Sequence, residues 1–157
     1  MACRSVQCRS AHPRQARQQA GTSSRVSEVS RRYKAAALAY VGDAAWELQA
    51  RARAAASERS AEQVRERASC LVTAEAQACA LAAARERNVL SERLEAVARW
   101  ARNAGMPSRK SAPARLKRTA VGMEVYREAT ALEAVVGLLH LEGEHALIEE
   151  LADAAEL

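Results

Sequence analysis

Two carboxylates stand where carboxylates are costly. Asp43 lies within Leu38-Ala39-Tyr40-Val41-Gly42-Asp43-Ala44-Ala45-Trp46-Glu47-Leu48, and Glu133 within Thr130-Ala131-Leu132-Glu133-Ala134-Val135-Val136-Gly137-Leu138-Leu139. Both runs are apolar, rich in small residues and helix-forming, so each reads as a buried segment carrying one charge. A carboxylate in such a place needs a cation, a hydrogen-bond network or a raised pKa to offset its desolvation. A pair of them is the donor set of a metal site, and hard oxygen ligands suit magnesium, which keeps several waters and asks the protein for few groups. Glu47 follows Asp43 by four residues, on the same side of a helix, and reads either as a third ligand or as a solvated glutamate at the rim. Glu128 and Glu142 are weaker candidates for a second ion. His140 shares a helical face with Glu133 and reads as a packed or hydrogen-bonded histidine.

The elements that must position these groups are helical. Alanine, leucine, glutamate and arginine dominate, β-branched residues are sparse, and strand alternation does not occur, so the fold class is all-α. The expected helices run over 34–56 with Leu38, Val41, Ala45 and Leu48 inward, over 60–69, from a cap at Thr73 with Ala76, Cys79, Ala80 and Ala83 inward, and from a cap at Ser91. Three more are expected over 119–129, 130–141 and 145–155, the last pair separated by Gly143. Between Arg102 and Arg118 lie Gly105, Pro107 and Pro113, which predict a broken connection. That connection is basic, and no acid occurs between Glu95 and Glu124. Such a run is either a solvated face or a set of phosphate contacts.

Charge divides the chain unevenly. The total is +5, but residues 1–35 alone carry +7 and the remainder −2, so the high pI by itself says little about nucleic-acid binding. The head is rich in Arg, Ser, Gln and Ala and has no apolar core segment. Residues 1–33 are expected to be a disordered organelle transit peptide, with a basic RNA-binding arm and a plain solvated tail as the other readings. A single folded domain is expected over 34–157. Cys3, Cys8, Cys70 and Cys79 form neither a disulfide framework nor zinc knuckles, and are expected to stay reduced. No run approaches the roughly 18 to 20 apolar residues of a membrane span, so stable membrane association is not expected.

With these motifs in order, the chain resembles the Mini-ribonuclease III family, small relatives of ribonuclease III that have the endonuclease domain and no double-stranded RNA-binding domain. Leu38–Leu48 is similar to the family's first signature, Val72-Thr73-Ala74-Glu75-Ala76-Gln77-Ala78 to its middle helix motif, Arg102-Asn103-Ala104 to the start of its basic loop, and Tyr126–Leu141 to its second signature. The Asn-Pro customary before the first signature is missing, and the Lys/Arg-rich loop resembles plastid members. The resemblance implies a ribonuclease III-like helical fold with Asp43 and Glu133 catalytic and holding Mg2+, to which the four-residue spacing adds Glu47 as the nearest further ligand. It also implies RNA contacts from Arg102, Asn103, Arg109, Lys110, Lys117 and Arg118, and a homodimer cutting both strands of double-stranded or structured RNA. Its expected substrate is precursor large-subunit rRNA and its expected location the plastid, or the cytoplasm if the head is not a transit peptide. The alternative from another class is a non-catalytic organellar RNA-binding or ribosome-associated protein with the same fold.

Overall fold

A computed structural model describes residues 26–104 and 112–155, and every described element is helical. The elements are α1 (26–32), α2 (Ala35–Ser57), α3 (Ala61–Leu71), α4 (Ala74–Glu86), α5 (Glu92–Asn103), a 3-10 turn (Leu116–Arg118), α6 (Ala120–Glu142) and α7 (His145–Ala154). Starts are set by hydroxyl caps that satisfy amide groups otherwise left without partners. Thr73 Oγ1 accepts from the Ala76 N–H at 3.2 Å, Ser91 Oγ from Leu94 at 3.3 Å and Thr119 Oγ1 from Gly122 at 2.9 Å. Ser60 and Gln63 form a reciprocal box at α3. Gly143 ends α6 with φ 77°, a conformation that favours glycine.

The centre of the molecule is α6. Ala131, Leu132 and Ala134–Leu139 are all buried, which marks a helix surrounded by others, and it packs against α2, α4, α5 and α7, most extensively against α2. The break expected between 129 and 130 does not occur. Thr130 sits inside the helix with its hydroxyl donating to the Tyr126 carbonyl at 3.0 Å, so a residue that often starts helices is accommodated one turn back along the same helix.

Other expectations shift by a residue or two. α2 turns Leu38, Ala39, Gly42, Ala45 and Trp46 inward, leaving Val41 half-buried and Leu48 63% exposed. In α4 the inward set is Gln77, Ala80, Leu81 and Ala84, while Cys79 is exposed; burying the large Leu81 rotates the helix away from the all-small stripe. The folded part also begins before residue 34. Val26, Val29 and Tyr33 recur at helical spacing, Val29 is buried, and Tyr33 packs against the core. The rest of the predicted transit peptide, 1–25, lies outside the described residues, as do Cys3 and Cys8.

The α2–α6 crossing is backbone against backbone. A Cβ added at Gly42 would lie 1.7 Å from the Glu133 carbonyl oxygen, and one at Gly137 would lie 2.0 Å from that of Leu38. No flexible side chain is available to move aside, so Gly42→Ala or Gly137→Ala is expected to cost about 3 kcal/mol or more. Gly143→Ala meets nothing within 4 Å and carries only left-handed strain of about 1–2 kcal/mol. Urea unfolding of the three variants checks this order, and equal losses would refute the close crossing.

Candidate active site

The glycine crossing brings Asp43 to Glu133. Asp43 is one residue beyond Gly42, roughly 100° further round α2, and Glu133 supplies the carbonyl on which Gly42 rests. The two carboxylates are within electrostatic reach of each other. They are not equally buried, which corrects the expectation of two core-facing acids: Glu133 is half-buried and Asp43 is exposed. Alanines around Asp43 make its run look apolar without settling which side faces inward, and Gly42, Ala45 and Trp46 take that side instead.

Burial, and then the neighbouring Asp43 charge, pushes the Glu133 carboxyl up from 4.5 to about 7. The Gln77 amide faces Glu133 and opposes this shift, yet its Nε2 completes no hydrogen bond of normal geometry. Asp43 is raised too, by desolvation and then by Glu47. Neither acid forms an ion pair among the described residues, whereas many other acids in the molecule do. Glu75 pairs with Arg115 at 2.7 Å, Glu95 with Arg85 at 3.1 Å, Glu128 with Arg85 and Arg102 at 2.7 Å each, and Asp153 with Arg53 at 2.7 Å. Glu124 meets Arg102, and Glu142 meets Arg93. Among the described residues, Asp43 and Glu133 thus stand together without a cation paired to either.

This donor set suits a hard divalent ion. Both groups offer oxygen, their mutual repulsion falls when a cation lies between them, and magnesium completes its shell with water. Glu47 does not extend the set: among the described residues no three His, Cys, Asp or Glu side chains converge as a metal site, and Glu47 is held by Arg51 at 2.5 Å along the exposed face of α2. Four-residue spacing aligned Glu47 with Asp43 but equally with Arg51, and the cation took it. Glu128 and Glu142 are engaged by arginines, away from the pair. His140 is exposed, its ring edge-on to His145 at 5.3 Å, not packed in the core.

The described basic residues of the connection lie elsewhere. Lys117 and Arg118 form the turn before α6, and Glu133 is 13 residues beyond the start of α6 at Ala120, so roughly 20 Å along the axis. Arg115 ties that turn to α4 through both Glu75 oxygens, at 3.0 and 2.7 Å. Arg102 is bound to Glu124 and Glu128, and Asn103 ends α5 exposed. Arg109 and Lys110 lie outside the described residues. Gln77 was not singled out by sequence reasoning; the available signal was a lone amide at an inward helical position.

The ribonuclease III domain family matches residues 36–144, a span that includes both carboxylates and the helices carrying them. The chain belongs to the ribonuclease III domain family. Among curated proteins none matches. A ribonuclease III domain supports an endoribonuclease, a hydrolase acting on double-stranded RNA, and the family is generally dependent on divalent metal. The all-α architecture agrees with that domain's fold.

Glu133 links the site to stability. Its folded pKa of about 7 exceeds the ordinary 4.5, so between those values the folded state keeps a proton that the unfolded chain has released. Without metal, stability falls as pH rises through this window, on the order of 3 kcal/mol in full. Glu133→Gln is expected to abolish that decline and to be more stable than the parent at pH 8 without metal. Millimolar Mg2+ should raise the melting temperature of the parent and not of the variant. Thermal melts at pH 5 and 8, with and without Mg2+, check both; parallel curves would show that Glu133 ionises freely.

Proposed function

We propose that this protein is a magnesium-dependent endoribonuclease of the Mini-ribonuclease III type that cuts double-stranded or structured RNA as a homodimer. Its proposed task is maturation of precursor large-subunit rRNA in plastids. The observation that carries the activity is the glycine crossing, which sets Asp43 beside Glu133 with no ion pair to either acid among the described residues.

Hydrolysis joins a water oxygen to phosphorus as the bond from phosphorus to the 3′ oxygen breaks, leaving a 5′-phosphate and a 3′-hydroxyl. Magnesium, when held by Asp43 and Glu133, supplies an acidified water, neutralisation of phosphoryl charge and stabilisation of the leaving oxygen. The chain's part is to place the ligands. Glu133, on the central helix, is the fixed member, and Asp43 meets the substrate side from an exposed face. Glu133 must be ionised to bind a cation, so at sub-saturating Mg2+ cleavage is expected to weaken as pH falls through about 7, and added Mg2+ to shift this loss to lower pH.

Double-stranded RNA offers phosphate tracks and 2′-hydroxyls rather than a readable major groove, which suits a domain that reads shape. Lys117 and Arg118, about 20 Å from Glu133 along α6, are placed for a phosphate away from the cut. Arg109, Lys110 and Asn103 belong to the same basic connection, while Arg102, bound by two glutamates, supports it from α5. A homodimer is supported by the outward side of α2, where Tyr40 (83% exposed) and Leu48 bracket Ala44 beside Asp43. A two-fold axis there would present identical centres to antiparallel strands.

Asp43→Asn and Glu133→Gln are each expected to lower single-turnover cleavage of a structured precursor rRNA by at least about 100-fold, with little change in RNA affinity. Circular dichroism and sedimentation should be unaltered. Magnesium-dependent cutting at parental rate by either folded variant would sink the assignment; a parent that binds this RNA and never cuts it would establish the non-catalytic reading. Neutralising Lys117 and Arg118 should reduce the salt dependence of RNA binding by about 1 in log–log slope for each lost phosphate contact. Binding measured at several salt concentrations tests this, and an unchanged slope would make the turn a solvated surface only.

A further inference from the structure

Gln77 is the fully buried polar side chain of the described residues, 2% exposed, on the face of α4 that packs against α6. An amide there is unfavourable for packing alone. A buried donor without a partner costs about 1–3 kcal/mol, and an apolar side chain of equal length would fill the same space. Its Nε2 is such a donor, and the polar group it faces is the Glu133 carboxyl. α4 therefore brings to the site from the core side what neither α2 nor α6 supplies, a neutral hydrogen-bond donor behind the more buried carboxylate.

We propose that Gln77 is a positioning residue: its amide donates to the Glu133 carboxylate and fixes the rotamer that turns the other carboxylate lone pairs toward Asp43 and the cation between them. The inference rests on Asp43 and Glu133 being cation ligands. The chemistry favours an amide at this position. A carboxylate has about four lone-pair sites, so one donated bond leaves ligand capacity intact, whereas arginine or lysine there would neutralise the charge the cation needs. The donor also restrains Glu133 before metal arrives, and outer partners of this kind are typically worth 10–100-fold in metal affinity.

The test uses the full chain and Mn2+ as an oxygen-seeking probe, with free ion followed by electron paramagnetic resonance during titration. Gln77→Met keeps length and removes the donor; Gln77→Asn keeps the amide one methylene too far back, in a side chain small enough for the core to accept. Both are expected to bind Mn2+ about 10–100-fold more weakly than the parent, and Glu133→Gln to lose binding. The metal-free melting temperature of Gln77→Met should be unchanged or higher, which a purely structural role for the amide would not give. Parental Mn2+ affinity in a folded Gln77→Met or Gln77→Asn overturns the positioning role and leaves the two-carboxylate site standing. Parental affinity in Glu133→Gln overturns the site itself, and the role of Gln77 with it.

Discussion

Everything at the candidate site depends on how closely α2 can approach α6. Two glycines, Gly42 and Gly137, let the helix backbones meet where any Cβ would penetrate a carbonyl group. Had either position carried a side chain, its Cβ would meet a carbonyl oxygen at 1.7 or 2.0 Å and force the helices apart, carrying Asp43 away from Glu133. The same crossing seats Leu38 and Trp46 in the core, so stability and the site are served by one contact. This is why two carboxylates far apart in sequence depend on residues that carry no chemistry themselves.

The electrostatics follow from that geometry. Elsewhere several acids are paired with arginines, and some of these pairs tie the basic turn and α5 to α4 and α6 through Glu75, Glu124 and Glu128. Half-exposed pairs of this kind contribute modestly to stability, and their value here is in holding segments in place. Asp43 and Glu133 are left as like charges side by side, one toward solvent and one toward the core, with the Gln77 amide behind. Such an arrangement is costly for folding alone and sensible for a protein that binds a cation.

Helical class, the caps at Thr73 and Ser91 and the stop at Gly143 were legible in the sequence, because caps and breakers act within a turn of themselves. Rotation about helix axes was not. Alanine is compatible with either side of a helix, so the sequence reads Val41 and Leu48 on α2 and Cys79 on α4 as inward where glycine, Trp46 and Leu81 take the place. Thr130 resembled a helix start because its hydroxyl can cap, and only the unbroken α6 core decided otherwise. The start of the folded part differs for a similar reason: a helix of only about two turns, set in a basic, polar head, offers few apolar repeats to read, yet the core buries Val29.

What the sequence determined by itself is the all-α class, the motif order of a ribonuclease III domain, and the pair Asp43 and Glu133 as the acids that need explanation. Those rest on composition, local hydrogen bonding and residue type, which are properties of short segments. Tertiary structure alone decided that Asp43 is exposed while Glu133 is half-buried, that Glu47 goes to Arg51 and Arg102 to glutamates, and that Gln77 stands behind the site. Each of these depends on which of several neighbours within reach a side chain meets, and that is set only when α2, α4 and α6 are packed together.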